Sequence, residues 1–376
     1  MATHKALVLE EFGKPLVIKD VLTPSVTPGS ALVAPLYAWV PHTLPMVFSG
    51  ALKDLLPTFP PYVAGYSCVA RVIVLPEDAT TLRVGDLVWV DHMIRARDNP
   101  DLEIVRSFDG GRQPSTQVLI KGIWKHGSYG EKLLAPLEGL FKIPDVWVRE
   151  RILGGMGISV QDFALSGYYL LALGGLATSG VRAGDRVIIA PATGKYSSAA
   201  VRVALALGCK VVATGRSAEK LKMLEMYHGA KDKLSTVALT GDADGDTKAL
   251  RDAIGGEGAD LFVDYSPTTM SEEPPHLKAG MNSLKRGGEY LLIGGAFTDF
   301  KISYAETMRR ELRIRGKFMW QREHVELFLR LIDTGSLRLD PESGWFNKVR
   351  IFKMAEVEAA LNDDSRSEHE DRLFAF

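Results

Sequence analysis

Two short segments carry the side chains and backbone that a phosphate-bearing ligand needs. The first is the turn Pro191–Ser197, PATGKYS, with Thr193, Gly194, Lys195, Tyr196 and Ser197. The second is Gly215–Arg216–Ser217, with Lys220 one turn further on. A dinucleotide requires a turn that lets backbone approach its pyrophosphate. It also requires a helix start that offers N–H groups and a partial positive charge. NAD enzymes place Asp or Glu at the end of the following strand to hold the ribose 2′-OH. No acid lies between Val211 and Ala218 here, and Arg216, Ser217 and Lys220 stand there instead. A cation and a hydroxyl suit a 2′-phosphate, so the expected cofactor is NADP(H). The alternative is a solvated helix N-terminus in which Ser217 is only the N-cap; Ser217 is able to serve both roles.

These residues need elements to position them, and the flanking sequence supplies a strand–turn–helix–strand pattern. An apolar run at Val187–Ala190 precedes the turn. A helix-length segment, Ser198–Leu207, follows it with Arg202 as its only charge, and a second apolar run occupies Lys210–Ala213. That order is the dinucleotide-binding unit, although the fingerprint's three glycines reduce here to Gly194. Ser197 is small enough to stand where helix and strand pack. Taken alone, the segment also admits the reading of an ordinary buried strand–helix–strand unit.

Alternation continues downstream. Ala259–Asp264 reads as a strand, His276–Leu284 as a helix, and Glu289–Ile293 as a strand ending in Gly294–Gly295. Such alternation predicts a parallel sheet with helices on both faces, an α/β doubly wound fold. The first 150 residues differ. Short runs at Ala6–Leu9, Ala31–Ala38, Cys68–Leu75 and Leu87–Val90, punctuated by Pro and Gly, predict a small, partly open, all-β barrel. Thr240–Thr247, TGDADGDT, reads as an exposed acidic loop that lacks the ligand spacing of a calcium site. Leu312–Trp320 alternates like an edge strand, with Arg313, Arg315 and Lys317 on one face. Glu323–Thr334 is helix-like, the run Lys348–Ala360 follows, and the charged Ser365–Asp371 is expected to be exposed.

Bulk properties set limits. At 376 residues two domains are expected. The composition is globular, 46% apolar and 24% charged, with a formal net charge of −1. No basic field exists to attract nucleic acid or anionic membrane. No apolar run approaches the ~20 residues that span a bilayer, and MATHKALVLEEFGKP lacks the apolar region of a secretion signal. Two cysteines, Cys68 and Cys209, exclude a disulfide framework and suit a reducing, cytoplasmic setting. Both read as buried, and neither as a nucleophile.

In order and spacing, several landmarks resemble the medium-chain dehydrogenase/reductase superfamily over nearly the whole chain. They are Pro61–Val72 (PYVAGYSCVARV), Val84–Val90 (VGDLVWV), Ala183–Ile189 (AGDRVII), the cofactor unit, and Gly287–Gly295 (GGEYLLIGG). The resemblance implies a Rossmann-like domain inserted into a GroES-like β-rich catalytic domain, with the active site in the cleft. The implied segments are 1–154 (catalytic domain), 155–310 (cofactor domain) and 311–376 (edge strand and return to the catalytic domain). The small-residue turn Ala192–Thr193–Gly194 places it near a zinc-independent branch, similar to quinone oxidoreductases and enoyl reductases. It also implies that Tyr265 and Ser266 flank the cofactor, that Gly294 and Gly295 let backbone approach the nicotinamide, and that Leu312–Lys317 joins two copies edge to edge in a homodimer. Arg313 and Arg315 read equally as edge protection.

Departures from the family pattern bear on the chemistry. Zinc-using members place a Cys, then a Gly-His-Glu, then a third Cys or acid. Here Pro41 stands about where the Cys would be, Tyr66 replaces the His, Ser67 replaces the Glu, and no Cys lies between Cys68 and Cys209. Asp91–Gln117 carries none of the four cysteines of a structural zinc lobe. Zinc needs thiolate, imidazole or carboxylate ligands, so no metal is expected. A hydroxyl or imidazole must then polarise the substrate oxygen or protonate a forming enolate. The candidates that the resemblance places near the cleft are His42, Thr43, Tyr66 and His92. Thr43 matches the family's relay hydroxyl, Tyr66 fills the lost ligand position, and His92 follows the strand Leu87–Val90. Each has a plainer reading: Tyr66 as a pocket wall, His42 as a cofactor-phosphate contact, Thr43 as a helix cap, His92 as a satisfied loop histidine. Trp39, Trp89 and Trp124 read mostly as core, with one or two able to wall a flat substrate.

The expectation is an NADP(H)-dependent, zinc-independent reductase of a small organic substrate, such as a secondary metabolite, carrying an activated C=C (an enone or quinone) or a carbonyl. The alternatives are a zinc-free alcohol dehydrogenase and a cofactor-binding protein without redox turnover.

Overall fold

The structure is a computed structural model that describes residues 2–148, 155–268, 270, 272–339, 348–362 and 370–376. The chain divides into two units, Met1–Leu165 with Phe346–Phe376, and Ser166–Trp345. Both boundaries fall later than the expected 154/155 and 310/311, for packing reasons. The helix Val160–Ala164 packs on the strands Ser30–Trp39 and Cys68–Val74, and its Phe163 stacks on Trp147 at 6.0 Å. At the other end, the strand Arg313–Gly316 and the helix Arg322–Asp333 belong to the second unit.

The first unit is mostly antiparallel β. One sheet runs in the order Leu140–Lys142, Leu87–Val90, Cys68–Val74, Ser30–Trp39, Glu370–Ala375, Lys348–Phe352, with Leu133–Pro136 also on Ser30–Trp39. The last pair is parallel. Ser30–Trp39 takes the centre, and its burial on both faces matches its apolar sequence. Glu370 and Asp371, expected to be exposed, are buried instead. They begin the strand Glu370–Ala375, where Arg372 Nε donates to Glu370 Oε1 at 2.8 Å. The rest of that charged segment, 365–369, lies outside the described residues.

The second unit is a six-stranded, wholly parallel sheet. Its order is Leu234–Ala238, Lys210–Gly215, Arg186–Ala190, Ala259–Asp264, Leu284–Leu292, Arg313–Gly316. The order reverses between Arg186–Ala190 and Ala259–Asp264, which makes the carboxyl ends of those two strands the switch point of a doubly wound sheet. Val187–Ala190 is buried to 0% exposure, as a central parallel strand requires. One face carries a core of Ile188, Val212, Phe262 and Tyr290 under Leu250, Ile254 and Leu277. The helices Gly167–Thr178, Lys195–Ala206 and Arg322–Asp333 pack together. Arg313–Gly316 is the edge strand, as its alternation predicts, and Arg313 and Arg315 both reach the buried Glu289 carboxylate, at 3.4 and 2.9 Å.

Thr240–Thr247 is not a loop throughout. Ala243–Ile254 is a helix capped by Asp242, whose carboxylate accepts from Gly245 N. Asp246 is buried and accepts from Thr240 N and Oγ1 and from Gly241 N, each at 2.9 Å. Asp242 thus caps the helix start from an exposed position, Asp246 ties down the turn before it, and Asp244 stays exposed as expected.

Candidate functional site

All four segments expected to meet a cofactor follow carboxyl ends of adjacent strands. They are Thr193–Ser197 after Arg186–Ala190, Gly215–Lys220 at the end of Lys210–Gly215, Tyr265–Ser266 after Ala259–Asp264, and Gly294–Gly295 after Leu284–Leu292. The register makes them neighbours, with Ala190 opposite Asp264 and Asp264 opposite Leu292.

Gly194 is the N-cap of the helix Lys195–Ala206, whose first turn carries no acid. A Cβ built on Gly194 would meet only Ser197 Oγ, at 3.3 Å. The space over the helix start is therefore open on the side where an anion is favoured. Ser197 is buried, and its hydroxyl bonds Gly194 N and O at 3.1 and 3.2 Å, which closes the turn. Tyr196 is half-buried, its ring edge-on to Tyr168 at 4.8 Å. Thr193 lies beside the end of the second strand, 3.6 Å from a Cβ built on Gly215.

Arg216 is exposed and makes no side-chain hydrogen bond or ion pair among the described residues. Ser217 is the N-cap of the helix Ala218–Leu224, and its hydroxyl accepts from Lys220 N at 3.2 Å. The cap is thus real, and a hydroxyl oxygen with a second lone pair and a proton retains capacity for another partner. Backbone N–H groups, an open turn and a cation form a donor set that fits a dinucleotide phosphate.

Past the fourth strand, Ser266 is buried and Tyr265 nearly so. Gly294 N donates to Asp264 O at 2.9 Å and Gly295 N to Ser266 O at 2.8 Å. A Cβ on Gly294 would fall 2.4 Å from Ser266 O, so the two backbones touch and no larger residue fits. Sequence reasoning missed what holds this corner. The buried Asp264 accepts from Ser266 N and Oγ and from Tyr290 Oη, with His276 beside it. The only sequence signal was an acid closing an apolar strand.

In the first unit the structure brings Tyr66 and His92 together. Their rings stack at 3.8 Å and 26°, with Trp39 and Phe108 edge-on to Tyr66 at 5.6 and 5.5 Å. Gly65 supports this placement. Its φ is +126° and a Cβ there would lie 2.4 Å from Ser128 N, so only glycine lets the chain pass before Tyr66. Asp91 Oδ1 accepts from Met93 N at 2.9 Å and fixes the turn that carries His92.

Tyr66 is 5% exposed and His92 0%. Burial, then the charges of Arg106 and Arg95, push the His92 pKa well below its ordinary value, so its imidazole is neutral at physiological pH. Arg106 lies under this cluster, fully buried, and Nη1 donates to His126 O and Leu134 O at 3.1 and 2.9 Å. Burial lowers its pKa to about 10, which still leaves it charged. Sequence reasoning did not single out Arg106.

His42 and Thr43 lie on the chain that leaves Trp39, with His42 exposed and Thr43 half-buried. Thr43 is the N-cap of Leu44–Phe48, yet its side chain makes no capping bond. Its backbone oxygen accepts from Met46 N and Val47 N instead. Trp39, Trp89 and Trp124 are all buried. Cys68 and Cys209 are buried too, and burial pushes both thiols up to about 12, which suppresses thiolate chemistry.

No group of three or more His, Cys, Asp or Glu among the described residues is arranged to hold a metal ion. No helix among them is long and apolar enough to cross a membrane.

Comparison with known proteins finds similarity to dehydrogenases. Residues 197–334 match the family described as zinc-binding dehydrogenase. An alcohol dehydrogenase of Geobacillus stearothermophilus is 27% identical over 355 residues, covering 94% of this chain and 95% of that protein. An NAD-dependent alcohol dehydrogenase of Sulfolobus acidocaldarius is 29% identical, with 69% and 70% covered. Among solved structures, an alcohol dehydrogenase of Thermotoga maritima superposes with a TM-score of 0.75 at 20% identity, all of both chains covered. A protein from Sinorhizobium meliloti 1021 solved bound to NADP superposes at 0.73, also with 20% identity and full coverage.

Proposed function

We propose that this chain belongs to the medium-chain dehydrogenase/reductase superfamily and is an NADP(H)-dependent, zinc-independent oxidoreductase that reduces an activated C=C or a carbonyl of a small organic substrate, a reading supported by its similarity to zinc-binding and alcohol dehydrogenases. The observation that carries this reading is the second strand end: an exposed Arg216 and a capping Ser217 where an NAD enzyme places an acid. Thr193–Ser197 and the start of Lys195–Ala206 hold the pyrophosphate. Arg216, with Ser217 and Lys220, holds the 2′-phosphate. Tyr265, Ser266, Gly294 and Gly295 wall the nicotinamide.

The bound dinucleotide supplies the hydride. The chain's own residues supply orientation and a proton. Tyr66 donates its phenolic proton to the substrate oxygen or to the forming enolate. His92 backs the Tyr66 ring as a neutral imidazole, and Thr43 with His42 passes protons from solvent. Zinc has no place in this reading, because Pro41, Tyr66 and Ser67 offer neither thiolate, imidazole nor carboxylate where zinc-using relatives have them. A zinc-free alcohol dehydrogenase is the second reading, favoured by the names of the curated relatives.

Titration of the protein with NADPH and with NADH by fluorescence, followed by a panel of enones, quinones, aldehydes and alcohols, tests both. Turnover on enones or quinones supports the first reading, and turnover confined to alcohols and aldehydes supports the second. Absence of NADPH binding overturns the first reading, and absence of binding by NADPH and NADH alike overturns both. The edge strand Arg313–Gly316 supports a homodimer in the same proposal, and a monomer mass by light scattering at micromolar concentration removes it.

A further inference from the structure

Parallel pairing between Ala259–Asp264 and Leu284–Leu292 ends at Asp264 and Leu292. Beyond it the two chains still run together, through Gly294 N to Asp264 O and Gly295 N to Ser266 O. Something must hold the Tyr265–Ser266 turn in place for those bonds to form. That something is a carboxylate. Asp264 Oδ1 accepts from Ser266 N at 2.7 Å and from Ser266 Oγ at 2.6 Å, which folds the turn back onto the strand.

Two other elements hold the carboxylate in turn. Tyr290, near the carboxyl end of Leu284–Leu292, donates from Oη to Asp264 Oδ2 at 2.8 Å. His276, at the start of the helix Leu277–Ser283, brings Nε2 within 3.4 Å of Oδ1 and 3.5 Å of Ser266 Oγ. Phe262 packs between them, stacked on Tyr290 at 4.9 Å and on His276 at 6.2 Å. All four polar residues are buried. Burial alone would raise the Asp264 pKa, but the donors of His276, Ser266 and Tyr290 outweigh it and hold the carboxyl below its ordinary range. A buried charge so fully partnered fixes geometry, because each alternative rotamer leaves a donor or the carboxylate unsatisfied.

We propose that Asp264, His276 and Tyr290 are positioning residues for the nicotinamide half of the cofactor: their network sets the Tyr265–Ser266 turn against the Gly294–Gly295 backbone. This rests on the dinucleotide reading above, in which those two segments wall the nicotinamide. The network touches nothing assigned to the adenosine half, which Arg216 and Ser217 serve from another strand end.

The two halves separate the test. Dissociation constants are measured for NADPH by fluorescence and for adenosine 2′,5′-bisphosphate, which lacks the nicotinamide, by calorimetry. Asp264→Asn is expected to weaken NADPH about tenfold, the scale of one charged hydrogen bond, and to leave the bisphosphate within about twofold. Tyr290→Phe keeps the Phe262 stack and removes one donor, with an expected loss for NADPH of about threefold. It decides the question alone if Asp264→Asn does not fold. Equal weakening of both probes, or of neither, overturns the inference while leaving the cofactor reading intact. Wild-type protein that binds neither probe removes the cofactor reading, and this inference with it.

Discussion

Around the parallel sheet, several of the groups proposed for the cofactor's phosphates lie at or near the surface. Gly194 and Arg216 are exposed, Thr193 and Ser217 half-buried, and the donors are mostly backbone N–H groups set by strand ends and helix starts. In the β-rich unit the opposite holds. Tyr66 and His92 are enclosed, stacked on one another and bordered by Trp39 and Phe108, with a buried cation beneath. The first arrangement is specified by topology, so it tolerates loss of glycines from its turn. The second is specified by individual side chains and by what burial does to their protonation. Substitutions should therefore act on affinity, in graded fashion, in the first region, and on turnover, steeply, in the second.

The sharpest break of that contrast is Tyr66→Phe. The ring and its stack on His92 remain, and only the hydroxyl is lost. If Tyr66 is the proton donor, kcat on the preferred substrate falls by about 10² or more, and the dissociation constant for NADPH does not move. A kcat within a fewfold of wild type makes Tyr66 a wall and shifts the proton to Thr43.

Arg216→Ala is the matching change in the other region, with the next largest effect. A charged hydrogen bond to phosphate contributes about 1.5–3 kcal/mol, so NADPH affinity is expected to drop roughly 10- to 100-fold while NADH affinity changes little. Fluorescence titration with both cofactors checks it. An equal loss for the two leaves Arg216 as a general surface cation and removes the 2′-phosphate argument.

The contrast also explains what the sequence revealed. The strands at Val187–Ala190 and Ala259–Asp264 were legible because a parallel strand buried on both faces must be a continuous apolar run. The segments proposed for the cofactor could be nominated because they sit at fixed offsets from those runs. Thr240–Thr247 misled because an acid that caps a helix, Asp242, and one that ties down the preceding turn, Asp246, have the same composition as acids in a solvated loop. Glu370 and Asp371 misled in the same way, since the partner that neutralises Glu370, Arg372, is an ordinary surface-like residue in sequence. The Tyr66–His92 stack joins positions 26 apart on different strands' loops. Residue types nominated both, and only the fold makes them one object. The partners of Asp264 were invisible for the same reason, because His276 and Tyr290 reach it from two later elements.

Protonation gives a third test, of intermediate size. His92 has a folded-state pKa well below its ordinary 6.5. Above pH 6.5 both folded and unfolded chains hold it neutral. As the pH falls below 6.5 the unfolded chain takes up a proton that the folded chain refuses, so stability drops as the pH is lowered through that window. His92→Phe keeps an aromatic ring against Tyr66 and removes the titration. Urea denaturation at pH 7 and pH 5 is expected to show a smaller stability difference for the variant than for wild type. Burial lowers the pKa values of His4 and His126 as well, so the difference shrinks without vanishing. An unchanged pH dependence means that His92 titrates normally, and the neutral-imidazole account of the stack falls.

The smallest expected effect belongs to Ser217, where the two regions' logics meet in one side chain. Its hydroxyl caps Ala218–Leu224 through Lys220 N, a role that contributes about 1 kcal/mol to stability. The proposed second role is a bond to the 2′-phosphate. Ser217→Ala removes both and Ser217→Asp only the second, because Asp caps as well as Ser but repels a phosphate. Both variants are expected to weaken NADPH more than NADH, and Ser217→Asp more strongly, while only Ser217→Ala lowers the denaturation midpoint. If Ser217→Asp binds NADPH as wild type does, the hydroxyl is a cap alone, and Arg216 carries the cofactor preference without it.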